Sequence, residues 1–106
     1  MPTPPTHTLR GNQYWYREDQ LLHREDGPAI IYAGGGTEWW RNGYFHRIGG
    51  PAVDDLVGGR QEWWVDGLRH RDDGPAVIYT DGTKEWWLNN RQVDPIVHFL
   101  IVGNKE

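Results

Sequence analysis

The word HREDGPA (His23–Ala29) returns as HRIGGPA (His46–Ala52) and again as HRDDGPA (His70–Ala76). Three copies of a seven-residue word in a chain of 106 residues constrain the fold to a periodic one. Each copy belongs to a supersecondary unit that buries its apolar face only by stacking on its neighbours. A second word keeps the same frame: YWYR, EWWR, EWWV and EWWL place Trp15, Trp39, Trp63 and Trp86 at intervals of 24, 24 and 23 residues. Three near-complete units and a partial fourth therefore fill residues 14–94. Residues 1–13 are rich in Pro and Thr and are expected to be a disordered or loosely ordered tail. Residues 95–106 are expected to cap the open end. A short helix with Asp94 as N-cap and Pro95 in its first turn would do this; so would a terminal strand.

Each unit carries two turn signals. After the Trp pair come Asn42-Gly43, Asp66-Gly67 and Asn89-Asn90, which suit type I′ hairpins because these residues tolerate positive φ. Before the pair come Gly34-Gly35-Gly36, Gly58-Gly59 and Asp81-Gly82. Two reversals per unit predict two strands per unit, near 14–17, 21–33, 37–41, 44–55, 61–65, 68–80 and 84–88, with a bend at each Gly-Pro. The expected fold is all-β: a single-layer antiparallel up-and-down sheet of hairpin repeats about 23 residues long, closed by a short C-terminal cap. Closing the I′ turns sets Trp39 and Trp63 opposite His46 and His70, and sets Trp40 and Trp64 opposite Phe45 and Arg69; a three-residue loop at Glu18-Asp19-Gln20 sets Trp15 opposite His23. Closing the other turns tightly sets Trp39, Trp63 and Trp86 opposite Ile30, Val53 and Val77. Alternation along a strand then gives two rows. Trp15, Trp39, Trp63 and Trp86 lie beside His and aliphatic neighbours and are expected to be the more buried. Tyr16, Trp40, Trp64 and Trp87 lie beside Ala29, Ala52 and Ala76, with Glu38, Glu62, Glu85 and Arg69.

Composition excludes several chemistries. The chain has no Cys, and Ser is absent as well, so thiol and serine nucleophiles and Cys-based zinc sites do not arise. A net charge of −4 without a basic run is a poor match for a phosphate backbone. No apolar run is long enough to span a membrane, and no secretion leader opens the chain; a cytoplasmic location is expected. Equivalent strands of successive units lie about 9–10 Å apart, whereas zinc needs its donors at about 2.0–2.1 Å. The three histidines therefore predict a structural role and no metal site, and no cofactor is expected. Glu62 and Asp54, opposite each other in the expected register, are the one pair that an acid–base mechanism could use. Asp54 has no carboxylate counterpart at Ile31 or Ile78, and the chain is read as non-enzymatic.

The stretch EWWVDGLRHRDDGPAVIYTDGTKEWW resembles the MORN-repeat variant family, and the HREDGPA form resembles repeat proteins of bacteriophages and large DNA viruses, with related bacterial arrays of antitoxin type. The resemblance covers about residues 14–94 and implies a single-layer sheet with a contact role and no catalytic residues. The expected function is a non-catalytic protein-interaction module, a small phage or bacterial inhibitor of counter-defence or antitoxin type. Its partner would be a host defence or toxin protein, or a second copy of the chain. The expected contact surface is Tyr16, Trp40, Glu62, Trp64, Arg69 and Trp87, since Trp, Tyr and Arg dominate interface centres. A nucleotide or carbohydrate stacked on the same row is the alternative, and it would need a pocket.

Overall fold

A computed structural model describes residues 3–56 and 58–103. Residues 1, 2, 57 and 104–106, which fall in the expected tail, one loop and the cap, lie outside that description. The described residues form thirteen short strands and one helix. In chain order the strands are β1 (His7–Leu9), β2 (Asn12–Tyr14), β3 (Ile30–Ile31), β4 (Thr37–Glu38), β5 (Trp40–Arg41), β6 (Tyr44–Phe45), β7 (Val53–Asp54), β8 (Gln61–Glu62), β9 (Trp64–Val65), β10 (Leu68–Arg69), β11 (Val77–Ile78), β12 (Lys84–Leu88) and β13 (Arg91–Val93). The helix, α1, spans Pro95–Val102. All pairing is antiparallel. Nine strands make one open sheet in the order β1-β2-β3-β4-β7-β8-β11-β12-β13, while β5-β6 and β9-β10 form two-stranded ribbons.

The first Trp of each pair is the pivot between sheet and ribbon. The Trp39 N–H donates to the Ala52 carbonyl in the main sheet, and the Trp39 carbonyl accepts from His46 in the returning arm of the ribbon. Trp15 uses Ala29 and His23 in the same way, and Trp63 uses Ala76 and His70. One residue thus belongs to two elements, so the strand is cut there. The long strands expected over 21–33, 44–55 and 68–80 are accordingly interrupted by the HR words instead of running through a bend. Ala29, Ala52 and Ala76 are fully buried beside the pivots, which leaves no room for a larger side chain.

The I′ turns form as expected. Asn42 and Gly43 have φ of 52° and 82°, Asp66 and Gly67 50° and 78°, Asn89 and Asn90 50° and 67°. Trp64 pairs with Arg69 and Trp40 with Phe45. The other turns close one residue wider than expected. Ile30 pairs with Glu38, Val53 with Glu62 and Val77 with Glu85, so Glu occupies the place expected for Trp. Tyr79 donates to the Thr83 carbonyl across a loop that ends in Gly82 at φ 88°, the geometry of a type I turn followed by a left-handed residue. A one-residue slip exchanges faces. Ile30, Val53 and Val77 therefore share a face with Glu38, Glu62 and Glu85, and the first Trp of each pair lies against the alanines. Asp54 pairs with Gln61, which turns it away from Glu62.

Within the segment expected to be loosely ordered, residues 7–13 form the first hairpin of the sheet. β1 and β2 pair across Arg10-Gly11, with φ of 53° and 84°. Ahead of β1, the Thr6 N–H donates to the Tyr14 carbonyl, as Ala29, Ala52 and Ala76 donate to Glu38, Glu62 and Glu85. Thr3-Pro4-Pro5-Thr6 is thus the remnant of an earlier word, with Pro5, Pro28, Pro51 and Pro75 at intervals of 23, 23 and 24 residues. At the other end Asp94 caps α1, its side chain accepting from the Ile96 N–H at 2.8 Å. None of the described helices is long and apolar enough to cross a membrane.

Candidate functional site

The HR word is a clamp on the first Trp row. The Arg24 guanidinium lies 3.9 Å over the Trp15 ring, Arg47 4.0 Å over Trp39, and Arg71 3.9 Å over Trp63. Each guanidinium also donates to the carbonyl of its own Gly-Pro turn: Pro28 at 3.2 Å, Pro51 at 3.1 Å and Pro75 at 3.1 Å. A Cβ on Gly27, Gly50 or Gly74 would come within 2.8, 2.7 and 2.8 Å of the Arg Cζ. Glycine is required because the guanidinium passes over bare backbone. Asp26 and Asp73 receive the Nε of Arg24 and Arg71 at 2.7 and 2.8 Å. Gly49 stands at the equivalent position in the middle unit, and the Arg47 stack forms without a carboxylate. These hydrogen bonds hold both carboxyls below the usual carboxylate range: Asp26 through Arg24 and then Thr3, Asp73 through Arg71.

The histidines are joints between units. Nδ1 of His23, His46 and His70 each accepts, at 3.0 Å, the N–H of Asn42, Asp66 and Asn89 respectively, in the I′ turn of the following unit. An Nδ1 that accepts leaves Nε2 to carry the proton, and in His23 and His70 it faces Glu25 and Asp72 at 3.3 and 2.9 Å. No three His, Asp or Glu side chains among the described residues gather where they could hold a metal ion.

The second row is a ladder organised by glutamates. Glu38, Glu62 and Glu85 accept the indole N–H of Trp40, Trp64 and Trp87 at 2.9, 2.8 and 2.9 Å. The other oxygen of Glu38 and of Glu85 accepts the hydroxyl of Tyr32 at 2.9 Å and of Tyr79 at 3.0 Å. Burial and the Glu38 bond push the Tyr32 hydroxyl up to about 12; the Glu85 bond raises that of Tyr79. In the middle unit Arg60 takes the tyrosine's part, 2.8 Å from Glu62. Between successive rings lies one side chain from the returning arm of each ribbon. Phe45 sits 4.1 Å from Trp40 and 5.4 Å from Trp64. Arg69 lies 5.1 Å from Trp64 and 5.0 Å from Trp87.

Of the expected surface, Trp40, Glu62, Trp64, Arg69 and Trp87 are brought together. Glu62 is only 5% exposed and already holds Trp64, Arg60 and Arg69, so it positions the row instead of facing outward. Tyr16 is set apart, stacked on Tyr14 at 6.2 Å and bridged to Leu22. Trp39, Trp40, Trp63 and Trp64 are all half-buried. The slipped register removes the aliphatic neighbours expected of Trp39 and Trp63, and the arginines cover only one side of each ring. Trp15 alone of these is buried, at 5% exposure, because Thr3 closes over it and accepts its indole N–H at 2.9 Å.

Sequence reasoning missed Phe45 as a rung and the Tyr32, Arg60 and Tyr79 partners of the glutamates. Phe45 was legible, since the I′ register already set it opposite Trp40. The glutamate partners depended on the wider turn. Cavities are open grooves along the units, about 310 Å³ beside Tyr32 and Glu38 and about 300 Å³ beside Trp63 and Arg71. No protein-family model, curated protein or solved structure matches the chain.

Proposed function

We propose that the chain is a non-catalytic protein-interaction module of MORN-repeat-variant type, a small phage or bacterial inhibitor that lays its second Trp row on a protein partner. The observation that carries this reading is the continuous ladder Trp40, Phe45, Trp64, Arg69 and Trp87. All five are half-buried, so each ring or guanidinium keeps an outward side. The glutamates hold the three indoles in place before any partner arrives. Side chains already fixed lose little rotamer freedom on docking, which favours affinity. Trp and Arg at the centre of a surface are the residue types that dominate binding energy. The non-catalytic reading is supported by the separation of Asp54 from Glu62 and by the use of the histidines as joints between units.

The test is to make Trp64→Ala and Arg69→Ala, confirm the fold by circular dichroism, and measure binding to a partner cross-linked by the parent protein in host lysate. Each variant should lose about 2 kcal/mol or more, roughly thirtyfold in affinity. Folded variants that bind as the parent does would refute the assignment.

A further inference from the structure

The two ends of the array are complementary. Each of β3, β7 and β11 pairs on both sides, and β1 occupies the same place in the repeat but pairs only with β2. β4 and β8 likewise pair on both sides. At the equivalent place in β12, Lys84 and Glu85 pair only with β11, since β13 covers Trp86–Leu88 alone. One end therefore lacks the strand that the other end supplies.

We propose that the chain assembles head to tail, the β1 strand of a second copy pairing with Lys84–Glu85 of the first. The repeat specifies the register. Glu62 pairs with Val77 and Gln61 with Ile78 where β8 meets the following unit. Transferred one unit on, Glu85 faces His7 of the second copy and Lys84 faces Thr8. Thr6 donates its N–H inward to Tyr14, and His7, bulged beside it, pairs with the same residue; alternation then turns the N–H of Thr8 outward, toward Lys84 of the new neighbour, as Ile78 faces Gln61. Thr3-Pro4-Pro5-Thr6 would follow into the position of a GPA word. A groove of about 400 Å³ lies there, lined by Lys84, Glu85, Trp86, Val93 and Pro95 among others.

The character of α1 supports the same reading. A segment that terminates a repeat array presents a polar outer face. α1 has no charged side chain, and Ile96 and Phe99 are 70% and 67% exposed, with Leu100 and Ile101 above half. Its one buried anchor is His98, whose Nε2 lies 2.7 Å from the Arg71 carbonyl. The exposed apolar surface sits at the end that has the open strand, and a second copy would cover both. Such contacts join unlike surfaces, so association is open-ended.

The experiment is sedimentation of the full chain over a wide concentration range. The weight-average mass should climb past the dimer without a plateau. Thr8→Pro removes the outward N–H and should weaken association at least tenfold, and adding it to the parent should shorten the assemblies. A parent that stays monomeric, or a folded Thr8→Pro variant that associates as well as the parent, overturns the proposal. Should Thr8→Pro fail to fold, a synthetic peptide of residues 3–12 replaces it. Titrated into ¹⁵N-labelled protein, the peptide should shift the amide signals of Lys84, Glu85 and Trp86; unchanged signals overturn the proposal. None of these readouts involves Trp64 or Arg69, so this assembly and the docking face stand or fall separately.

Discussion

A single glycine decides whether an arginine can lie on a tryptophan. In Gly50→Ala the new Cβ would meet the Arg47 Cζ at 2.7 Å, and the guanidinium would have to leave the Trp39 ring. The expected loss is about 1–2 kcal/mol, the sum of a partly exposed cation–π contact and a hydrogen bond. Urea melts of Gly50→Ala, Arg47→Met and the double variant check it: the double variant should lose no more than the larger single loss. The two carboxyls of the clamps set an acid limit. Their pKa is depressed in the folded chain, so the stability they add is complete above the unfolded carboxylate range, near 4, and is lost as pH falls through their lower folded values. Thermal melts from pH 5 to pH 2 should therefore drop less steeply for Asp26→Asn/Asp73→Asn than for the parent. The structural role of the histidines was legible because strand spacing alone keeps them apart. That Arg covers the ring was not legible. It depends on the slip that moves the aliphatic residues to the other face.

At the scale of elements, the turns after the Trp pairs were read correctly because two residues with positive φ admit few geometries. The turns before them were read one residue too tight. In TDGT the left-handed residue is Gly82, third in its loop, and the dipeptide Asp81-Gly82 imitates a two-residue turn. A Cβ on Gly82 would meet nothing within 4 Å, so Gly82→Ala isolates backbone strain. It should cost about 1–2 kcal/mol in urea denaturation, and Gly82→Asn should cost less, since Asn tolerates this region. The same frame would have revealed the first hairpin. Gly11 stands four residues before Trp15, as Gly35, Gly59 and Gly82 stand before Trp39, Trp63 and Trp86. The helix was one of two caps that Asp94-Pro95 left open, and its exposed apolar side was not legible, because neighbours decide what a cap faces.

The whole molecule measures 44 × 29 × 23 Å, long in one direction, as expected of units that touch only their neighbours. Its stability should then behave as a sum of unit and junction contributions. The three backbone joints are chemically equal: a histidine Nδ1 receives a turn N–H at 3.0 Å each time. Each joint uses a main-chain N–H that any residue of the turn supplies, although Asp66 adds a carboxylate oxygen 3.1 Å from His46 and Asn42 a side-chain bond to Arg17. Excising residues 40–63 would join Trp39 directly to Trp64 and bring His23 to the turn at Asp66. The shortened protein should fold, with a lower urea midpoint and a smaller denaturant slope, because less surface is exposed on unfolding. A chain joined this way can change its length without inventing a new contact. Duplication or loss of one repeat in the gene would yield a reach adjusted in fixed steps, with every seam already fitted.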